Sequence, residues 1–326
     1  MSKLLFAKLF YTLGVSNFLR KNKRDGITIL NLHRVSPEED YFWNPMKPAS
    51  FESLLKYLIK HYNIIQFKEI EYTRNGSSKK PLAILSFDDG YKDFYEYALP
   101  LLVKYKLPSN HNIVNECAHH NKAIWTQRLN AVFNSAMNDK QSLEFVFEKT
   151  KFSIKDFKSW MAFYLSIFKK MLNMADAERE ELISQKEHLI KINCKVEMMN
   201  WAEIAECASH KVEIGSHTFS HDVISTIKQP EILEKEITSS IKEINERLNQ
   251  STDIIAWPNG QTSNSAEAIA LQAGIKYSLH VGEKINFSGE QPQNIFYRIN
   301  LVEEPLSSII LRTELFYSKL KNYVGV

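Results

Sequence analysis

The sequence predicts an α/β protein of βα units around a parallel sheet, with a helical segment inserted between its two halves. Short apolar, β-rich runs alternate with longer stretches of helical spacing at both ends of the chain, which is the rhythm of βα units. From about 123 to 201 no strand pattern is found and helical spacing dominates. The length of 326 residues fits two domains, or one α/β barrel carrying a large insertion.

The elements follow in order. The stretch from Leu4 to Leu13 is apolar but broken by Lys8, and it leads through Phe18 and Leu19 into Arg20-Lys21-Asn22-Lys23-Arg24. It is too short and interrupted to span a bilayer, and it lacks the cleavage site of a secretory signal. Residues 1–25 therefore read as a helix docked on its own domain, or as an amphipathic helix contacting a membrane surface through residues 1–24. Ile27–Leu32 reads as a buried strand. Ser50 is expected to cap a helix from Phe51 to His61, whose apolar positions recur at helical spacing. Further strands are expected at 64–67 and 82–87, the latter entered after the turn-prone Asn75-Gly76-Ser77-Ser78 and Pro81. In the insertion, Phe157, Trp160, Met161, Tyr164, Phe168, Met171 and Leu172 form one apolar stripe, read as core ahead of a sugar-stacking or dimer face. The βα rhythm resumes with strands at 212–215, 253–257, 276–281 and 296–301 and helices at 230–248 and 266–272, with Gly274 placed to end the last helix.

Composition narrows the partners. Lys and Arg number 41 against 38 acidic residues, a net charge of +3 spread over the chain, which gives no reason to expect nucleic acid. Cys117, Cys194 and Cys207 are odd in number with no CxxC pair, so neither a disulfide framework nor a thiolate metal site is indicated, and a cytoplasmic setting is expected.

Two clusters carry chemistry. The strand ending at Phe87 delivers Asp88-Asp89-Gly90, adjacent carboxylates that repel unless a cation or hydrogen bonds compensate; Asp-Gly alone is also an ordinary turn. Ser216-His217-Thr218-Phe219-Ser220-His221 again follows a strand, and two imidazoles four residues apart can converge on one divalent ion. Together they supply a two-histidine, one-carboxylate site with open positions. Such a set also serves iron oxygenases, but those carry the carboxylate close after the first histidine on a β-rich scaffold.

Ser86-Phe87-Asp88-Asp89-Gly90-Tyr91 and Ser216-His217-Thr218-Phe219-Ser220-His221 resemble the first two motifs of the polysaccharide deacetylase family, also called carbohydrate esterase family four, with its NodB-type homology domain. Leu32-His33-Arg34-Val35, Ala98-Leu99-Pro100-Leu101-Leu102 and Ala256-Trp257-Pro258-Asn259-Gly260 are similar to supporting elements of the same family. The resemblance implies a distorted (β/α) barrel formed by residues 26–120 and 200–326, with 121–199 as a helical insertion. It implies hydrolytic removal of N-acetyl, or occasionally O-acetyl, groups from a saccharide. By the same resemblance Asp89, His217 and His221 bind a divalent metal, Zn2+ ahead of Co2+ or Ni2+; Asp88 is the general base; and Tyr91, Pro258 and Asn259 lie on the substrate and oxyanion side.

The chain departs from the family where the third motif begins, with Ala256 in place of the arginine that orients the base. Arg298 matches a late arginine of one subgroup and is the candidate substitute, with a surface salt bridge as the plain alternative. The Leu-x-His motif that supplies the general acid is not evident; His33 is preferred over His280, and His111, His119 and His120 read as solvated or structural. These departures leave a catalytically degenerate saccharide-binding protein as the competing reading. An acetylated saccharide is the expected partner. If residues 1–24 lie on a membrane, helix and active site are expected to share one surface, which favours lipid-linked sugars at the inner membrane face.

Overall fold

In the computed structural model, which describes residues 8–9, 12–21, 23, 26–73, 80–139, 156–192, 196–287 and 294–315, seven parallel strands close into a barrel. The strands are β1 (Gly26–Leu32), β2 (Asn63–Ile64), β3 (Leu82–Phe87), β4 (Ser109–Ile113), β5 (Val212–Ser216), β6 (Ile254–Ala256), β7 (Tyr277–Val281), β8 (Asn286–Phe287) and β9 (Ile295–Asn300). The ring runs β1-β3-β4-β5-β6-β7-β9 and back to β1, while β2 extends the parallel pairing outside β3 and β8 pairs antiparallel with β1. The longer helices are α1 (Val15–Lys21), α2 (Pro48–His61), α3 (Leu99–Tyr105), α4 (Asn115–His120), α5 (Trp125–Asn138), α6 (Phe157–Met171), α7 (Asp176–Leu189), α8 (Trp201–Ser209), α9 (Pro230–Leu248), α10 (Asn264–Gln272) and α11 (Leu306–Thr313).

β1 and β3 are buried along their whole length, because helices cover one side and the barrel interior the other. Their parallel register sets Leu32 beside Phe87, so His33 and Asp88 emerge next to each other at one end of the barrel. The pairing of Ile113 with Ser216 brings His217 to the same end. All seven strands finish there, at the mouth where sites of such barrels are built.

Local expectations needed three corrections. Helix α2 begins at Pro48, whose fixed φ suits the first turn, and Lys47 is its cap residue without a side-chain bond; Ser50 sits inside the first turn and donates to Glu303 instead. The strand expected at 64–67 stops at Ile64, because Phe67–Glu69 turn into a 3-10 helix closed by a reciprocal Gln66 and Glu69 cap. Strand β4, Ser-Asn-His-Asn-Ile, was not expected at all: its polar side chains hide a strand that is buried throughout. Gly274, at φ +95, ends α10 as expected. The turn Asn75-Gly76-Ser77-Ser78 and Cys194 lie outside the described residues; Cys117 and Cys207 are buried free thiols.

Helices α5, α6 and α7 build a core of their own, with Phe133, Trp160, Phe163, Tyr164, Ile167 and Ile183 at its centre. Phe42 from the loop after β1 and Val223 from the loop after β5 join that core, docking it on the barrel mouth. The aromatic stripe is thus core over Trp160, Tyr164 and Met171, while Phe157 is exposed.

At the opposite end, Arg20 at the end of α1 donates to Tyr57 Oη at 2.8 Å, and Lys23 donates to Thr313 O at 2.7 Å and lies 3.1 Å from the buried Glu314. These two members of the basic cluster are anchored on the chain's own domain. The described part of the N-terminal segment lies where β1 begins, and the mouth lies where it ends, seven residues or roughly 20 Å away. The described part of that segment and the candidate site therefore do not share a surface.

Candidate active site

Each strand end turns sharply to present its ligands. After β3, the Asp88 N–H donates to Leu32 O at 3.1 Å, and then Asp89 and Gly90 take positive φ values of 78 and 86. After β5, the His217 N–H donates to Ile113 O at 2.8 Å, and Thr218 and His221 take φ 65 and 67. Left-handed residues other than glycine cost of order 1–3 kcal/mol each and persist where surrounding bonds over-determine them. Here the Thr218 N–H donates to Ser216 Oγ, and the Gly90 N–H donates to His111 Nε2 at 3.1 Å.

The turns bring Asp89, His217 and His221 together, all buried, with one ligand atom from each within 4.8 Å of the others. Asp89 Oδ1 lies 3.2 Å from His217 Nε2 and 3.4 Å from His221 Nε2. His217 Nδ1 is 2.8 Å from Ala256 O and so carries a proton, while Nε2, 3.2 Å from Asp89 Oδ1, donates to that carboxylate here and is the nitrogen able to ligate an ion once it gives up its proton. Burial opposes charge on Asp89, yet the bonds from both histidines hold its carboxyl well below the usual range.

Asp88 occupies a second, separate environment. Its Oδ1 accepts from Arg298 at 2.7 Å and from Asn112 at 2.8 Å; its Oδ2 accepts from Asn31 at 3.1 Å. Burial raises the carboxyl, but Arg298 foremost, then His217, outweigh it and hold Asp88 ionised far below the ordinary range. Arg298 is buried, and the same nitrogen also donates to Asn31 Oδ1 and Ser86 Oγ. It is no surface salt bridge: it arrives from β9, beside β1, where Ala256 supplies no cation.

Around this core is a cavity of about 260 Å³ lined by Asp88, Asp89, His217, His221, Arg298 and Asn31 together with His33, Trp43, Tyr91 and Asn259. His33 Nε2 is 4.0 Å from Asp88 Oδ2 and its ring meets the edge of Trp43 at 5.2 Å. Asn259 adopts φ 55, and its buried Nδ2 has no partner. Pro258 does not line the cavity; it opens the short 3-10 turn, and Trp257 and Gly260 face the space instead. His280 points elsewhere, to Glu267 at 2.9 Å, and His119 pairs with Glu243 at 2.8 Å. His111 is buried rather than solvated, wedged against Phe94, and burial pushes its imidazole down to about 4.

Sequence reasoning missed Asn31 and Asn112, which orient Asp88, because neither belongs to a recognised motif. It also missed the insertion's share of the wall: Thr126, Gln127 and Asn130 of α5 and Tyr164 and Phe168 of α6, with Leu172 just beyond. The aromatic stripe was the available signal for the last three.

Residues 175–278 match the family described as Polysaccharide deacetylase. The resemblance is to polysaccharide deacetylases. That deacetylase match takes in His217, His221 and Asn259, and it sets the coarse class as a deacetylase-type hydrolase. Solved structures extend the likeness to the whole fold. The Streptococcus pyogenes deacetylase PplD, in complex with acetate, superposes with TM-score 0.60 at 18% identity, over 89% of this chain and 98% of that one. IcaB from Ammonifex degensii gives 0.59 at 16%, over 90% and 98%, and the de-N-acetylase from Aggregatibacter actinomycetemcomitans 0.52 at 20%, over 91% and 99%. The barrel is thus the deacetylase barrel. No curated protein matches by sequence.

Proposed function

We propose that this chain is a metal-dependent hydrolase that removes N-acetyl groups from a saccharide. The observation that carries the reading is the pairing of a buried Asp89, His217 and His221 ligand set with a separately held, ionised Asp88 in one cavity. The donor set fits a divalent ion: two imidazoles and a carboxylate kept anionic, with ligand atoms already within 4.8 Å of one another. Such borderline nitrogen and oxygen donors suit zinc, with cobalt or nickel compatible. An ion held there supplies water of lowered pKa and polarises the acetyl carbonyl.

The protein's own residues do the rest. Asp88 Oδ1 is committed to Arg298 and Asn112, whereas Oδ2 has one amide donor and faces His33, so Oδ2 is the oxygen left to take the proton of the attacking water. Arg298 positions that carboxylate and keeps it ionised. His33, beside Oδ2, is placed to pass a proton to the leaving amine, and the Asn259 turn is the candidate partner for the oxyanion. Arg298 on Asp88 supports an active enzyme over a saccharide-binding relic, since the missing arginine of the third motif was one of the two grounds for the relic, the unassigned general acid being the other.

Acetate release from a panel of N- and O-acetylated sugars, run beside metal analysis, tests the reading. H217A is expected to lose stoichiometric metal and activity together. Full metal content in that variant would remove the ligand assignment, and metal without acetate release from any sugar would favour the binding protein.

A further inference from the structure

Two adjoining hollows open at the end of the barrel where the strands begin, opposite the catalytic mouth. One is lined by Arg20 and Lys21 of α1, Lys60 and His61 of α2, and Lys80; the other shares Lys80 and adds Ile59 and Lys106. Among the described residues, no carboxylate lines either hollow. Glu314 lies behind Arg20 at 3.5 Å but is shared with Lys23 at 3.1 Å, so it does not offset the other cations. Five fixed cations at one end are a strong local excess in a chain of net charge +3. The balance lies beside the mouth, where another hollow gathers Glu38, Glu39, Asp40, Asp93, Glu96 and Glu197 against Arg34 and Lys92. The hollows thus differ in sign, basic at the strand starts and acidic beside the mouth.

The basic end also exposes large apolar side chains. Leu13 and Phe18 are each 67% exposed and Ile59 is 37% exposed, beside Lys21 and Lys60. Cations set among apolar side chains are the make-up of a surface that enters the headgroup layer of a membrane.

We propose that this end of the barrel docks on an anionic lipid bilayer, its lysines on headgroup phosphates and Leu13 and Phe18 in the interface, with the catalytic mouth facing away into solution. The inference is independent of the deacetylase reading. It extends the membrane contact beyond the N-terminal segment to α2 and the strand starts. It also removes the bilayer that carries the protein as the source of substrate: a sugar entering the mouth comes from solution or from a chain extending well clear of that surface.

Sedimentation of the full chain with vesicles of phosphatidylcholine, alone or mixed with phosphatidylglycerol, tests the proposal at low and high salt. Binding is expected to be at least about tenfold tighter on the anionic vesicles and to weaken with salt. K21Q/K60Q is expected to lose about thirtyfold, roughly fivefold per cation near the surface. F18S is expected to weaken binding with an unchanged thermal melt, since Phe18 is largely exposed, and K92Q, at the acidic end, to bind as wild type. Hydrogen exchange on vesicles is expected to protect residues 12–21 and 57–61. Equal partitioning onto both vesicles, undiminished binding by K21Q/K60Q, or protection at the mouth loop 38–43 would overturn the proposal. Competition by inorganic phosphate at low concentration would overturn it too, in favour of a site for free phosphate.

Discussion

Replacing Arg298 with Met tests the site and the fold together. Arg298 and Asp88 form a buried pair, their side chains 1% and 3% exposed, with 2.7 Å between guanidinium and carboxylate. Removing one partner of such a pair leaves the other charge uncompensated and costs about 3–5 kcal/mol, a large part of a domain's 5–15 kcal/mol. The sign of the pH dependence follows from Asp88. In the wild type its folded pKa lies below the unfolded 3.8, so its contribution is present above that pH and is lost on acidification through the folded value. In R298M burial is the dominant influence left, which moves the folded pKa above 3.8 and reverses the sign: stability now falls as pH rises through the window between the two values. The deficit of R298M is therefore expected to widen from pH 4 to pH 7. Urea denaturation of EDTA-treated protein across that range measures it, and R298M/D88N is expected to recover at least half of the loss at pH 7 because no buried charge is then left unpaired. A deficit below about 1 kcal/mol that stays flat with pH would refute the reasoning that Arg298 holds Asp88 ionised.

D88N is expected to keep its metal by elemental analysis and to lose a hundredfold or more in acetate release, about what general acid–base catalysis contributes; near-normal release would give the proton to another group. At Gly215 an added Cβ would lie 2.2 Å from Asn112 Oδ1 and 3.0 Å from Ile254 Cγ2, so G215A must push Asn112 off Asp88. A loss of about 1–3 kcal/mol in denaturation, with a lower kcat and little change in KM, is the expected result. His111, held neutral with a folded pKa of about 4 against 6.5 unfolded, contributes stability that is lost as pH falls from 6.5 toward 4, up to about 3 kcal/mol in total. Urea midpoints of wild type and H111N over that range check it, with the variant expected to show the flatter profile.

The motifs were legible in the sequence because they are contiguous: strand, turn and ligand lie within a few residues in Phe87-Asp88-Asp89-Gly90 and Gly215-Ser216-His217-Thr218-Phe219-Ser220-His221, and backbone chemistry alone places them at strand ends. The βα rhythm was legible for the same local reason, since apolar runs such as β1 and β3 announce buried strands. Strand β4 was not, because Asn110, His111 and Asn112 are buried for the partners they meet on the neighbouring strand β3 and the turn after it: Ser86, the Gly90 N–H and Asp88. Partners so distant in the chain leave no periodicity. The late arginine could be nominated from its motif, but only the register of β9 on β1 sets Arg298 against a carboxylate 210 residues away, because closure of the barrel makes the last strand a neighbour of the first. The same holds for the insertion. Its helical spacing showed a core, whereas its place as a wall of the cavity depends on Phe42 and Val223 docking it over the mouth. Closure also decided which end of the molecule the basic N-terminal segment joins, since a strand carries direction in sequence but acquires a top and a bottom only when its neighbours align with it.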